Sequence, residues 1–125
     1  MNVLGILWAG VRVSDADESL RFFTDILGLE VAFRDESQGF TLFHLPSGQQ
    51  FELLGPNSRW HRVHEDPVVI GFQVDDVAAT RLEMETRGVE FVSEIAGEPA
   101  SGQWCYFRGP DGVLYEICAL GTDER

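Results

Sequence analysis

Two glutamates with similar surroundings are the residues best suited to chemistry in this 125-residue sequence. Glu52 lies in the stretch 46–53 (PSGQQFEL), and Glu116 lies in the stretch 110–117 (PDGVLYEI), roughly half a chain length away. Each stretch is typical of a Pro-x-Gly turn leading into a strand, with the carboxylate between apolar neighbours. Two carboxylates in one cavity can bind a cationic or hydrogen-bond-donating ligand, or share a proton as acid and base. We therefore expect the function to lie where Glu52 and Glu116 meet.

A structural interpretation of the two glutamates stays open, with hydrogen bonds to Arg12, Gln50 or Gln73 holding them. Burying carboxylates without a purpose is costly, which favours the functional interpretation. His44 joins the candidate catalytic group, because the hairpin turn that follows brings it near Glu52 and imidazole is a general base near neutral pH. A lone histidine on a strand is more often structural, and that alternative also stays open.

The elements around these residues form two similar halves. The first half contains a strand at 4–14, a helix capped by Asp15 and stopped by Gly28, and strands at 29–34, 40–45 and 50–54; the second contains a strand at 68–74, a helix at 77–87 capped by Asp76 and stopped by Gly88, and strands at 89–95, 102–108 and 113–120. This β-α-β-β-β order, written twice, predicts two tandem modules at 1–58 and 66–125, with a linker at 59–65.

The predicted fold is α+β and leaves one face of each sheet without a helix. We expect the two helix-free faces to curl together as a mixed β-sheet around a cup-shaped, partly open cavity. Alternation places Glu52 and Glu116 on these faces, because their neighbours Phe51 and Tyr115 take the helix side.

Composition limits the partners of the protein. A formal charge of −12 argues against nucleic acid, which requires Lys and Arg to neutralise phosphates. No apolar run is long enough for a membrane span, and the N-terminus lacks the features of a signal peptide, so a cytoplasmic location is expected. Cys105 and Cys118 have neither disulfide nor metal spacing. His61 and His64 in the linker are interpreted as surface or dimer-interface residues.

The chain resembles the vicinal oxygen chelate superfamily, which includes glyoxalase I, extradiol dioxygenases, methylmalonyl-CoA epimerase and bleomycin-resistance proteins. The segments that carry the resemblance are 11–15 (VRVSD), 22–29 (FFTDILGL), 72–77 (FQVDDV), 109–112 (GPDG) and 115–117 (YEI). The resemblance implies a metal site with one ligand from the first and one from the fourth strand of each half. The fourth-strand positions correspond to Glu52 and Glu116. The first-strand positions, seven residues before the capping aspartates, hold Trp8 and Val69, which do not bind a divalent cation.

Loss of two ligands argues against an extradiol dioxygenase, which needs two histidines and one carboxylate on iron. The resemblance then implies a metal-free homodimer that binds a neutral or cationic small molecule, as bleomycin-resistance proteins hold a basic drug. Its predicted ligand-binding residues, beside the two glutamates, are Trp8, Arg12, Leu42, Gln73, Trp104 and Tyr106.

Two alternatives remain, and whether the protein is an enzyme stays open. The first is a glyoxalase-like lyase or isomerase that moves a proton next to a carbonyl. It would use the two glutamates alone or a rebuilt site in which Glu52, Glu116 and His44 hold Zn, Ni, Mg or Mn. The second is a structural dimer with a vestigial cavity. Trp8 could accordingly be a stacking surface or a plug in the core, and Arg12 could hold a substrate carboxylate or neutralise a glutamate.

Overall fold

The structure is a computed structural model that describes residues 1–59 and 65–122. Its residues group into two compact units. The Glu52 unit is Trp8–Val69, and the Glu116 unit joins Met1–Leu7 to Ile70–Arg125. The chain order of elements is strand, helix and three strands, given twice, which confirms the predicted repeat.

The Glu52 unit contains helix α1 (Ala16–Arg21), a π-helical turn (Phe22–Ile26), and a sheet. The strands are β1 (Val3–Arg12, of which Trp8–Arg12 lies in this unit), β2 (Val31–Asp35), β3 (Phe40–His44) and β4 (Gln50–Leu54), and a 3-10 turn (Glu36–Gln38) joins β2 to β3. Strand β4 pairs in parallel with β1 and antiparallel with β3, which pairs antiparallel with β2. The connections follow the predicted module.

Helix α1 begins and ends for identifiable reasons. The Asp15 side chain accepts a hydrogen bond of 3.0 Å from the Glu18 amide, which confirms the predicted N-cap. Regular α-helix ends earlier than predicted, because the Thr24 hydroxyl donates to the Leu20 carbonyl at 2.8 Å and the helix widens into the π-helical turn. Gly28, with φ of 72°, ends the helical region as expected.

Aromatic contacts identify the helix side of this sheet. The Phe23 ring lies 5.0 Å from the Phe51 ring and 6.3 Å from the Phe43 ring, measured between centroids. Because side chains alternate along a strand, Glu52 points to the opposite, helix-free face.

The Glu116 unit contains helix α2 (Val77–Thr86) and four strands. They are β5 (Val68–Val74, of which Ile70–Val74 lies in this unit), β6 (Ala96–Glu98), β7 (Gly102–Arg108) and β8 (Leu114–Leu120). Strand β8 pairs in parallel with β5 and antiparallel with β7, which pairs antiparallel with β6. The Asp76 side chain caps α2 by accepting from the Ala79 amide at 3.0 Å.

The core of this unit lies between α2 and the sheet. Val74, Val77, Cys105 and Ile117 are buried together there. Ile117 therefore faces α2, as predicted, and its neighbour Glu116 faces away from the helix.

The predicted strand at 89–95 is wrong. Phe91 makes an isolated bridge to Phe107, and the regular pairing begins only at β6. The cause is Ser93, whose hydroxyl oxygen accepts the Tyr106 amide at 3.0 Å and so takes the place of a main-chain carbonyl in the ladder. Among the described residues, the helices are all too short or too polar to cross a membrane.

Candidate functional site

Glu52 is buried in a row of three residues on the helix-free face of its sheet. The strand register places it beside Leu42 of β3 and Gly10 of β1. Residues that pair across neighbouring strands point to the same face, so these three positions form one line across the sheet. Glu52 is only 7% exposed, whereas Leu42 is half-buried. The carboxylate is thus the floor of this face and Leu42 is part of its rim.

Trp8 covers the glycine end of that row. A Cβ atom at Gly10 would lie 2.4 Å from Cζ2 and 2.6 Å from Cη2 of the Trp8 ring, so the indole occupies the space that any other residue would need. Trp8 is 4% exposed. The Trp8 ring therefore packs over Gly10 on the predicted face of the sheet. Gly10 is the neighbour of Glu52 in the strand register.

Glu116 lies in an equivalent row in the other unit. The register places it between Tyr106 of β7 and Gly71 of β5. Glu116 is 3% exposed and Tyr106 is 2% exposed. Each unit therefore buries a glutamate between a glycine on the first strand of its module and a large side chain on the third.

Trp104 and Gln73 share the face of Glu116. Both pair with Cys118, two residues beyond Glu116 on β8, and the ladder between β7 and β8 is continuous from Gly102 to Arg108. Both are half-buried. The Trp104 ring lies against Gly97 of β6, since a Cβ there would be 3.0 Å from Cζ3 of the indole. Trp104, Tyr106 and Gln73 thus lie on the same helix-free face.

The other predicted residues have less central places. Arg12 is half-buried and follows Gly10 by two residues, on the face of Trp8 and Glu52. His44 pairs with Gln50 at the turn end of the hairpin, where it is exposed and diagonal to Glu52. The predictions for His61 and His64 lie outside the described residues.

A half-buried arginine supports the position of Tyr106. The Arg81 guanidinium donates to the Ser93 carbonyl at 2.6 Å and lies 4.7 Å from the centre of the Phe91 ring. Ser93 in turn accepts the Tyr106 amide, so α2, the 91–93 segment and β7 are connected by successive contacts. Sequence reasoning missed this support, although an arginine in the middle of a helix that packs on the sheet was a signal for it.

The buried thiol next to Tyr106 has a perturbed acidity. Burial raises the pKa of Cys105 to about 11, and the carboxylate of Glu116 acts in the same direction. The nearby Arg81 guanidinium lowers the pKa but does not outweigh burial. Cys105 is therefore a neutral thiol at physiological pH and does not act as a nucleophile.

The donor set does not fit the four-ligand metal site that the resemblance implies. The two first-strand positions hold an indole that packs over Gly10 and the apolar side chain of Val69, which is 1% exposed. Within the described part of each unit, no group of three or more His, Cys, Asp or Glu side chains is close enough to hold a metal ion. Glu52 and Glu116 are the oxygen donors left at the family positions.

Several solved structures share the fold of this chain. A methylmalonyl-CoA epimerase from Mycobacterium tuberculosis is 23% identical, with a TM-score of 0.75, and the alignment covers 98% of this chain and 91% of that one. A Streptomyces coelicolor methylmalonyl-CoA epimerase variant in complex with 2-nitronate-propionyl-CoA is 22% identical, with a TM-score of 0.71 and 97% of both chains covered. A glyoxalase/bleomycin resistance protein/dioxygenase superfamily member from Vibrio splendidus is 20% identical, with a TM-score of 0.68, covering 91% of this chain and 97% of that one. These similarities confirm the predicted fold.

The family of the chain is identified by its sequence. None of the curated proteins compared with this chain matches it significantly. The sequence profile of the Glyoxalase/Bleomycin resistance protein/Dioxygenase superfamily matches residues 5–117, nearly the whole chain. The protein therefore belongs to the glyoxalase/bleomycin resistance protein/dioxygenase superfamily.

Proposed function

We propose that this protein binds a small organic molecule, neutral or cationic, on the helix-free faces that carry Glu52 and Glu116, without a standard metal centre. The observation that carries the proposal is the burial of a glutamate at the same place in both modules. An ionised carboxylate that loses most of its water is costly unless hydrogen-bond donors or a positive charge surround it. A ligand with donors or a positive charge adds such partners, and it would explain why each module buries a carboxylate.

The surroundings of the two glutamates support an organic ligand. Trp8 and Tyr106 are large aromatic side chains on the floor of these faces, while Leu42, Gln73 and Trp104 form half-buried rims. Sites for small organic molecules typically combine mostly apolar walls with a few fixed polar groups. We also propose that the protein is a cytoplasmic homodimer with no nucleic-acid or membrane partner. Light scattering on the purified protein tests the oligomeric state.

Ligand screening by intrinsic tryptophan fluorescence tests the proposal. Neutral and cationic organic compounds that quench or shift the emission of the wild-type protein should bind at least about tenfold more weakly to Glu52→Gln or Glu116→Gln, because each loses a charge-assisted hydrogen bond. Glu30→Gln and Glu94→Gln are the matched controls, since both carboxylates are exposed in the same two units. The proposal fails if the controls and the buried variants bind every hit equally.

A second candidate function is proton transfer next to a carbonyl, as in an isomerase, an epimerase or a lyase. It is favoured by the presence of a buried carboxylate at the equivalent position of each module, since a carboxylate can remove a proton and return it. Methylmalonyl-CoA epimerases are among the similar solved structures, which makes acyl thioesters the first substrates to assay.

The two candidates differ in an observable reaction. An isomerase should exchange the proton next to the thioester carbonyl with D₂O, and Glu52→Gln or Glu116→Gln should abolish the exchange seen by NMR. A metal-dependent variant, with Glu52, Glu116 and His44 as ligands, requires stoichiometric metal after dialysis that is lost in Glu52→Gln. Ligand binding without exchange supports the binding protein.

A further inference from the structure

We infer that Trp8, Gly10 and Glu52 form a subsite for an alkylated or planar organic cation, such as a quaternary ammonium or a guanidinium group. This inference rests on the proposed function and names the class of ligand that the Glu52 face accepts. It also assigns a specific role to a glycine and an indole whose mutual packing is visible only in the structure.

The geometry begins with the missing side chain of Gly10. Its backbone lies directly beside Glu52 in the register of β1 and β4, and the Trp8 ring fills the volume that a Cβ would occupy. With any other residue at this position the indole would be displaced. Glycine here therefore allows an aromatic ring to lie over the position next to Glu52.

An indole beside a buried carboxylate favours organic cations over other ligands. Tryptophan is the best aromatic partner for a cation, and the attraction grows when water is excluded. Both Trp8 and Glu52 are almost completely buried, so water competes little for either group. A neutral ligand can donate a hydrogen bond to Glu52, but it gains no attraction between opposite charges and no cation–π attraction.

The same surroundings select a weakly hydrated cation. A small ammonium or metal ion must lose a strongly held hydration shell, whereas alkyl groups or a delocalised guanidinium plane reduce that cost. Leu42, on the other side of Glu52, adds apolar surface for the substituents. The overall charge of −12 raises the local concentration of cations around the protein.

Calorimetric titration with choline and its uncharged tert-butyl analogue tests the inference, because the two probes share one shape and differ in charge. The wild-type protein should prefer choline by about tenfold or more. Glu52→Gln should remove most of that preference, Trp8→Leu should reduce it at least about threefold, and Trp8→Phe should retain part of it. Glu30→Gln, the exposed control in the same unit, should leave the preference unchanged.

The outcomes separate this inference from the proposed function. Equal affinity of the wild-type protein for the two probes, or a preference that survives in both Glu52→Gln and Trp8→Leu, overturns the cation subsite while small-molecule binding stands. Absence of binding by either probe overturns the subsite as well, and fluorescence screening then decides on the proposed function alone. Circular dichroism verifies the fold of each variant. If Trp8→Leu does not fold, the preference for choline in Glu52→Gln alone tests the cation subsite.

Discussion

The substitution Gly10→Ala should destabilise the protein, because the added methyl group would overlap the Trp8 ring. An added Cβ would lie 2.4 Å from Cζ2 of Trp8, whereas ordinary van der Waals contact begins at 3.4 Å, so the ring must move by about 1 Å. The ring is almost fully buried, so its movement must displace packed neighbours. Overpacking of this kind costs about 1 to 3 kcal/mol. For a chain of 125 residues that corresponds to a melting temperature lower by roughly 4 to 11 °C.

Urea unfolding of a double-mutant cycle measures this cost and its cause. In a Trp8→Leu background the indole is gone, so Gly10→Ala should be neutral or stabilise by about 0.5 to 1 kcal/mol, the usual gain from replacing a strand glycine. The coupling between positions 8 and 10 should therefore exceed about 1 kcal/mol. If Gly10→Ala leaves the wild-type stability unchanged, or costs the same in both backgrounds, the packing of Trp8 over Gly10 is refuted.

Three further predictions concern the Glu116 unit. Arg81→Leu should lower the free energy of unfolding in urea by about 2 to 4 kcal/mol, because it removes the charge-assisted hydrogen bond to the half-buried Ser93 carbonyl and the contact with the Phe91 ring; an unchanged value would contradict the support described for β7. Asp76→Ala should cost about 1 kcal/mol by removing the N-cap of α2, and urea unfolding measures this too; no loss would mean that the cap does not stabilise the helix. The thiol of Cys105 should not react with Ellman's reagent at pH 8 in the folded protein. Its pKa rises from 9.0 when unfolded to about 11 when folded, so its contribution to stability is complete below about pH 9 and is lost as the pH rises toward 11; rapid reaction at pH 8 would be inconsistent with its burial.

Local signals predicted the fold because each depends on a few neighbouring residues. The caps Asp15 and Asp76 and the stops Gly28 and Gly88 have the expected geometry, with side-chain acceptors at 3.0 Å and positive φ values of 72° and 91°. Their recurrence in the same order made the two modules recognisable. Alternation also predicted the faces of the strands correctly, because the ladder between β7 and β8 has no bulge.

Two element boundaries and the packing of Trp8 depend on side-chain contacts, which the hydrophobic pattern of the sequence does not reveal. The hydroxyl of Ser93 interrupts the strand predicted at 89–95, and the hydroxyl of Thr24 widens the end of the first helix. Sequence parity assigned Trp8 to the correct face but gave no indication that its ring lies along the strand over Gly10. The packing of the Trp8 ring over Gly10 places an indole next to Glu52, and the residue types alone do not predict this packing.

The most direct test of the central claim compares two double variants in one binding experiment. Glu52→Gln with Glu116→Gln removes both buried carboxylates while preserving their shape, and Glu30→Gln with Glu94→Gln removes two exposed carboxylates and the same amount of charge. Calorimetric titration with the best ligand found by fluorescence should show wild-type affinity in the exposed pair and a loss of about tenfold or more in the buried pair. Equal affinity in the two double variants would contradict the claim that the buried glutamates bind the ligand.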